Sequence, residues 1–257
     1  MTGYAHLLTD EENPEIPYLC SFEGCPFAQT TRMTLVHKGI RFRHSEVRVM
    51  NEDVTGLAEK PAWFLALSPK GRVPVLLHRG RVLYESAMID QYLDEVFPEP
   101  QLMPSDPGER LVARIWLHQA STTLPRLWYR ALNASPDDVR SCSARLLELL
   151  GEWEEALAEH GGDGPWLFGQ RWTLPDLFMA PFYERFAPAL GYFDKFHMPS
   201  DGSLPRVMRH YRESLEHPAF LATRLDPQWL TNLYRPFARR EEWISAERNR
   251  AVRDIVE

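Results

Sequence analysis

A cysteine followed by proline, where an apolar strand gives way to a helix, constrains this chain more than any other sequence feature. Residues 16–19 are apolar enough to end a buried strand, and residues 30–38 carry apolar side chains at helical spacing up to Gly39. Pro26 suits the first helical position, because the N–H group that proline lacks needs no partner there. Cys25 is therefore predicted at a helix N-terminus, which lowers the pKa of a thiol below its usual value of about 8.5 and favours the reactive thiolate.

The position three residues after Cys25 limits the chemistry that this cysteine can support. Oxidoreductases with two active-site thiols carry a second cysteine there, whereas this chain has Ala28. A mixed disulfide at Cys25 therefore has no neighbouring thiol to resolve it, so the second thiol must come from a partner such as glutathione. A lone cysteine is more often an ordinary buried apolar residue, but the strand–Cys–Pro–helix context favours a reactive site.

Composition and charge argue against several other classes of protein. The 257 residues are 44% hydrophobic, enough for a sizeable core in one large domain or two small ones. The net charge of −7 argues against a nucleic-acid surface, and the apolar runs are shorter than the ~20 residues of a membrane span. The nine histidines show no paired spacing of metal ligands, so we expect no metal.

The cysteine count and the N-terminal residues bear on the cellular compartment. Residues 1–13 are polar and acidic, which predicts no signal peptide. Three cysteines without an export signal then indicate a reducing, cytoplasmic compartment and no disulfide framework. Cys20 falls in the predicted strand and Cys142 in a predicted helix, and we expect both to be buried and unreactive.

The first hundred residues predict the element order βαβ followed by ββα. After the helix that follows Cys25, the predicted elements are a strand at 42–49, a polar loop at 51–61, a short helix or turn at 62–67 and a hairpin of 73–77 with 82–84. Pro74 fits the start of a strand, preceded by a cis peptide bond. A helix follows Glu85 and Ser86, so this order predicts a compact sheet with helices on its faces.

The remaining residues predict a second, all-helical domain. Four prolines between residues 98 and 107 exclude a helix and indicate a linker. Thr173 and Asp176 form a variant of the capping box at a helix start. The other predicted helices span 109–129, with a kink at Pro125, 137–160, 204–215, 218–224 and 227–237. The predicted divisions are an N-terminal extension 1–15, a first domain 16–97, a linker 98–107, a helical domain 108–238 and a charged tail 239–257.

Three motifs together make residues 16–238 resemble the cytosolic glutathione transferases. They are the loop and cis-proline strand at 68–76, the acid–serine pair Glu85-Ser86 and the capping box at 173–176. The Cys-Pro-Phe sequence at 25–27, with segments 60–63 and 181–186, resembles the omega and lambda classes of that family. The resemblance implies a thioredoxin-like α/β domain followed by an all-α domain.

The resemblance also implies residues that bind glutathione as co-substrate. The backbone of Val73, before the cis-Pro74, would pair with the cysteinyl part of glutathione. Glu85 and Ser86 would hold its γ-glutamyl end, since a helix start binds carboxylates, although both could simply cap the helix. Lys60 would meet the glycyl carboxylate, although an isolated lysine is more often a solvated surface residue. Phe27 would contact the ligand through its backbone, although its side chain could equally belong to the core.

Further expectations from the resemblance concern the second substrate and assembly. Candidates for contact with a small electrophile or a mixed disulfide are Phe182, Tyr183, Arg185 and Trp229, although aromatic residues at helical spacing more often belong to a core. Family members usually form homodimers, so we expect one here. We expect no nucleic-acid or membrane partner.

Three functions remain open from the sequence. The first is a glutathione-dependent thiol transferase or reductase, acting in deglutathionylation or dehydroascorbate-type reduction through a Cys25–glutathione disulfide. The second is a glutathione-dependent enzyme of the same fold that cleaves an ether or a halide. The third is a non-catalytic interaction protein, or a membrane-inserting relative of the chloride-channel type; the lack of a membrane-competent run near Cys25 counts against insertion.

Overall fold

The structure of the chain is a computed structural model that describes residues 14–49 and 58–238. The predicted extension 1–15 and loop 51–61 lie partly outside these residues, and the predicted tail 239–257 lies wholly outside them. The described residues divide after Pro100 into two compact units, here called the N-terminal and the C-terminal unit.

The N-terminal unit contains a four-stranded sheet with the order β2-β1-β3-β4 within the described residues. Its strands are β1 Tyr18–Ser21, β2 Arg43–Glu46, β3 Val75–His78 and β4 Arg81–Tyr84, and its helices are α1 Pro26–His37, α2 Ala62–Leu67 and α3 Ser86–Val96. β1 is parallel to β2, whereas β3 is antiparallel to both β1 and β4. This arrangement confirms the predicted α/β domain, with α2 in the place of the expected short helix or turn.

Alternating side chains divide the core of this unit between the two faces of the sheet. Leu19 and Leu76 point to one face, where they pack with apolar residues of α1 and α3. Cys20 and Val75 point to the other face, where they pack with Phe64 of α2. Because successive strand residues face opposite sides, a chain with apolar residues at consecutive positions is covered on both faces.

A buried lysine links the end of α1 to the end of α3 in the N-terminal unit. The Lys38 side chain has 0% exposure, and its Nζ lies 2.7 Å from Asp94 Oδ1. The same Nζ donates to the carbonyl oxygens of Phe97 and Pro100, each at 2.7 Å. A buried ammonium is tolerated here because each of its three donors has an acceptor. The residue after α1 is thereby tied to the chain that leaves α3.

The C-terminal unit is mostly helical, which confirms the predicted all-helical domain. Its helices are α4 Pro107–His118, α5 Leu124–Leu132, α6 Val139–His160, α7 Leu174–Arg185, α8 Pro205–Glu216, α9 Pro218–Leu221 and α10 Pro227–Ala238, with π-helical turns at Gln119–Thr123 and Phe186–Gly191. The helix predicted over 109–129 is therefore interrupted before Pro125, which lies in the first turn of α5. Proline cannot donate the hydrogen bond that a continuous helix needs, and a widened turn before it accommodates the mismatch.

The predicted capping box at the start of α7 is present, and its aspartate also makes contacts outside the box. The Asp176 Oδ2 atom accepts from the Thr173 N–H at 2.8 Å and from the Thr173 hydroxyl at 2.6 Å. Its Oδ1 atom accepts from the Leu167 N–H at 2.9 Å and lies 3.0 Å from His210 Nε2. The buried carboxylate therefore anchors α7 to α8 as well as capping it.

Candidate functional site

Cys25 is the N-cap residue of α1, as the strand–Cys–Pro–helix pattern predicts. Its backbone is extended, with φ −79° and ψ 118°, and Pro26 begins the helix. The Cys25 N–H donates to the Phe22 carbonyl oxygen at 3.0 Å, and its Sγ lies 3.8 Å from the Val73 carbonyl oxygen. Cys25 and Phe27, which lies in the first turn, are half-buried. The thiol thus lies at the positive end of α1 on a residue that solvent reaches.

The register of the sheet brings three predicted site segments to the same end of the strands. β1 pairs with β3 through Val75, which in turn pairs with Tyr84 at the end of β4. Along the chain, Cys25 follows the end of β1, Pro74 precedes the start of β3 and Glu85 follows the end of β4. Because β3 is antiparallel to its two neighbours, its first residue and their last residues lie at the same end of the sheet, here called the site end.

The loop that leads into β3 presents the Val73 backbone beside the thiol. The Ser68 hydroxyl donates to the Arg72 carbonyl oxygen at 2.9 Å and accepts from the Arg72 N–H at 3.0 Å. The Val73–Pro74 peptide bond is cis, as the sequence motif predicts. This short hydrogen-bonded loop holds the Val73 carbonyl oxygen in contact with Cys25 Sγ.

Glu85 and Ser86 lie at the start of α3, with Glu85 as the N-cap residue. Glu85 is exposed, whereas Ser86 is 7% exposed. The φ angle of Glu85 is +68°, in a region that residues other than glycine seldom adopt. Such conformations are found disproportionately at ligand-binding and catalytic sites, so the backbone at Glu85 is consistent with a binding role.

Lys60 reaches the same loop from the segment before α2. A Cβ atom added at Gly71 would lie 2.8 Å from Lys60 Cδ, so the aliphatic stem of the lysine packs directly on this glycine. Burial lowers the pKa of Lys60 from its usual value. Within the part of the chain that the structure describes, its ammonium makes no hydrogen bond or ion pair. A partly desolvated ammonium of this kind is suited to an anionic ligand group.

The candidates for the second substrate differ sharply in their exposure. Phe182, Tyr183 and Arg185 are each 0% exposed. The Arg185 guanidinium donates to the Tyr234 hydroxyl at 3.0 Å and to the Pro181 carbonyl oxygen at 2.6 Å. A side chain without exposed surface cannot contact a ligand, so we correct the expectation that these three residues line a binding surface.

Trp229 is the second-substrate candidate that keeps an exposed surface, with 38% of its area accessible. It lies in the first turn of α10, where its N–H donates to Asp226 Oδ1 at 2.7 Å. Its contact with a second substrate stays a prediction.

The two other cysteines differ from each other. Cys20 is 0% exposed, and burial raises the pKa of its thiol to about 12, which matches the expectation of an inert residue. Cys142 lies on α6, as predicted, but is half-buried rather than buried. Its partial exposure means that a thiol reagent can reach it, so a labelling experiment must distinguish it from Cys25.

Two charged residues near the site are absent from the residues predicted from the sequence, although the spacing of each along its helix points to it. Arg32 follows Cys25 by seven residues, which places both on the same side of α1. Asp90 follows Ser86 by four residues and is 0% exposed. It adjoins Ile89 in the buried stripe of α3, where a carboxyl group is out of place.

Neither a metal site nor a membrane-spanning helix is found among residues 14–49 and 58–238. No group of three or more histidine, cysteine, aspartate or glutamate residues is arranged to hold a metal ion there. None of the helices described is both long and apolar enough to cross a bilayer.

Comparison with family models matches both units of the chain. Residues 24–96 match the glutathione S-transferase N-terminal domain, and residues 121–213 match the glutathione S-transferase C-terminal domain. The first match contains Cys25, Lys60, Val73, Glu85 and Ser86.

Individual proteins with similar sequences and structures include plant, animal and fungal examples. Glutathione S-transferase omega-1 of Sus scrofa is 32% identical over 64% of this chain, and the alignment spans 65% of that protein, slightly under two thirds. Protein IN2-1 homolog A of Oryza sativa subsp. japonica is 30% identical over 84% of this chain and 82% of its own length. The crystal structure of glutathione transferase Omega 3C from Trametes versicolor superposes with a TM-score of 0.72 at 24% identity, covering 86% of this chain and 95% of that one.

Proposed function

This chain belongs to the glutathione transferase superfamily, and from that premise we propose that it is a glutathione-dependent thiol transferase with Cys25 as its nucleophile. The observation that carries this proposal is the position of Cys25. The residue caps α1, and its Sγ lies 3.8 Å from the Val73 carbonyl oxygen beside the cis-Pro74. A helix N-terminus stabilises the thiolate, the form of cysteine that attacks disulfides.

The reaction proceeds by two thiol–disulfide exchanges. The Cys25 thiolate attacks the glutathionyl sulfur of a mixed disulfide, which forms a Cys25–glutathione disulfide as the substrate S–S bond breaks. The departing thiolate takes a proton from solvent. A thiolate of free glutathione then attacks the bound glutathionyl sulfur, releasing oxidised glutathione and restoring Cys25. Because residue 28 is alanine, free glutathione is the resolving thiol.

We propose that glutathione binds at the end of the sheet where β3 begins and where β1 and β4 end. The backbone of Val73, before Pro74, pairs with the cysteinyl portion of the ligand. Glu85 meets its ammonium and Ser86 its γ-glutamyl carboxylate, which suits a helix start. Lys60 provides a half-buried ammonium for the glycyl carboxylate. This assignment places the ligand's sulfur toward the thiol of Cys25.

Two further contacts and the setting of the reaction complete the proposal. The Phe27 backbone, at the second residue of α1, lies close enough in sequence to Cys25 to contact the same ligand. Trp229, with 38% of its area exposed, contacts the second substrate, a small electrophile or a mixed disulfide. A cytoplasmic setting supplies the reduced glutathione that the second exchange consumes.

The test is thiol transfer by Cys25→Ser. We expect this variant to lose glutathione-dependent disulfide reduction, because a serine hydroxyl stays protonated at neutral pH, whereas Cys142→Ser keeps wild-type activity. Cys25→Ala should still bind glutathione in calorimetry, because the binding groups lie on Lys60, Val73, Glu85 and Ser86. A Cys25→Ser variant with the wild-type rate overturns the proposal.

Mass spectrometry of the intermediate separates this function from its alternatives. Oxidised glutathione should add one glutathione to the wild-type chain, located on Cys25, and dithiothreitol should remove it. A stable thioether product without this adduct would instead indicate ether or halide cleavage by glutathione. Binding without any turnover would indicate a non-catalytic glutathione-binding protein.

A further inference from the structure

A side chain from within α1 holds the last residue of β1 and the first two residues of the loop that follows it. Arg32 Nη1 donates to the Ser21 hydroxyl at 2.7 Å and to the Phe22 carbonyl oxygen at 3.3 Å. Its Nη2 donates to the Glu23 carbonyl oxygen at 2.9 Å. One guanidinium thus contacts three consecutive residues that lead directly to the N-cap cysteine.

The arginine and the cysteine share a hydrogen-bond acceptor. The Phe22 carbonyl oxygen accepts from Arg32 Nη1 and also from the Cys25 N–H, the latter at 3.0 Å. The same peptide group is held at its other end, because Glu46 Oε1 accepts from the Glu23 N–H at 2.8 Å. The peptide group between Phe22 and Glu23 is therefore hydrogen-bonded on both sides.

The contacts of Arg32 also determine where the loop's negative partial charges point. The carbonyl oxygens of Phe22 and Glu23 are turned toward a cation. Released carbonyl oxygens could turn toward the Cys25 sulfur and join the Val73 carbonyl oxygen, which already lies 3.8 Å from it. The negative end of each such dipole beside a thiolate raises the pKa of the thiol. A planar guanidinium group can orient several carbonyl oxygens at once, because its donors lie in one rigid plane.

We propose that Arg32 is a positioning residue for the nucleophile: it holds the loop of residues 21–23 so that Cys25 stays at the N-cap of α1 with its thiolate favoured. The inference rests on the proposed function only for the identity of the nucleophile. Arg32 acts through the loop and is not itself a catalytic residue.

The test measures alkylation of Cys25 by iodoacetamide across pH 5 to 10, with the modified peptide quantified by mass spectrometry so that Cys142 does not contribute. Arg32→Met should alkylate roughly three- to tenfold more slowly at pH 6.5 for each unit by which the thiol pKa rises, because the smaller thiolate fraction is partly offset by a stronger nucleophile. Its limiting rate at high pH should not fall below that of wild type, because a thiolate of higher pKa is the stronger nucleophile. Arg41→Met is the matched control, since Arg41 is an exposed arginine of the same unit, and it should match wild type.

Arg32→Lys keeps the charge without the planar fork, and we expect its pH profile to lie between those of wild type and Arg32→Met. If Arg32→Met does not fold by circular dichroism, Arg32→Lys decides the question. A wild-type pH profile in a folded variant overturns the inference, and so does a lower limiting rate without a shift along the pH axis. Alkylation needs no glutathione, so a wild-type protein without thiol transfer would defeat the proposed function and leave this inference standing.

Discussion

Asp90 is a single residue whose protonation should control the stability of the N-terminal unit. It is fully buried on α3, and burial raises the pKa of its carboxyl group to about 8, against the lowering effect of the Thr31, Thr30 and Thr34 hydroxyls. The carboxyl oxygens make no well-formed hydrogen bond within the described residues. The native protein therefore keeps this proton to about pH 8, whereas the unfolded chain releases it near a pKa of about 3.9.

The sign of the pH dependence follows from these two pKa values. Between them the unfolded state binds fewer protons than the native state, so the contribution of Asp90 to the free energy of unfolding falls as pH rises, by about 1.4 kcal/mol per pH unit. We expect Asp90→Asn to remove this slope and to be increasingly stabilising, relative to wild type, from pH 5 to pH 8. Urea unfolding at each pH measures the difference, with the exposed Glu95→Gln as control. Equal slopes in wild type and Asp90→Asn would contradict the assignment.

At the scale of elements, the start of α3 combines a proposed ligand contact with an unfavourable backbone conformation at Glu85. Glu85 adopts a φ of +68°, which glycine tolerates better than glutamate. Glu85→Gly should therefore unfold no more easily than wild type, yet bind glutathione more weakly by about 1–3 kcal/mol, the scale for an unmet charged hydrogen bond. Ser86→Ala should weaken binding on the same scale.

Calorimetry with glutathione, alongside thermal unfolding, separates these two effects. Glu95→Gln is the matched control, because Glu95 is an exposed acid farther along the same helix. If both Glu85→Gly and Ser86→Ala bind glutathione as the control does, this pair is a helix cap and not a ligand site.

At the scale of the whole molecule, apolar side chains remain uncovered in each unit. Tyr84 and Met88 are 64% and 57% exposed in the N-terminal unit, and Leu111 and Ile115 are 59% and 52% exposed on α4. Isolated exposed apolar residues are common, but large neighbouring ones are typical of interfaces. We expect a homodimer, with light scattering giving twice the 29.9 kDa mass of the chain.

The α4 surface gives this prediction a specific test. Leu111 and Ile115 are four residues apart and share a helix face, so the double change to glutamate should yield monomers if α4 takes part in the interface. Arg140→Glu, an exposed charge reversal on α6, should stay dimeric. A wild-type mass of 29.9 kDa would reject the homodimer.

Much of the fold and part of the site could be predicted because the features concerned depend on residues close together in sequence. The N-cap position of Cys25 needs only the strand before it and Pro26 after it. The capping box of Thr173 and Asp176 spans four residues. The alternation of strands and helices likewise follows from local periodicity, and this order largely determines a sheet with helices on its faces.

The sequence by itself thus determined the order of elements and the caps at Cys25 and Thr173. Burial depends on which helix faces meet, so only the tertiary structure decided that Arg185 lies inside the C-terminal unit and that Asp90 lies inside the N-terminal one. The contacts of Arg32 with Phe22 and Glu23 likewise required α1 to pack beside the loop that precedes it. The spacing of residues along the chain does not establish contacts of this kind, because their geometry exists only once the elements have packed.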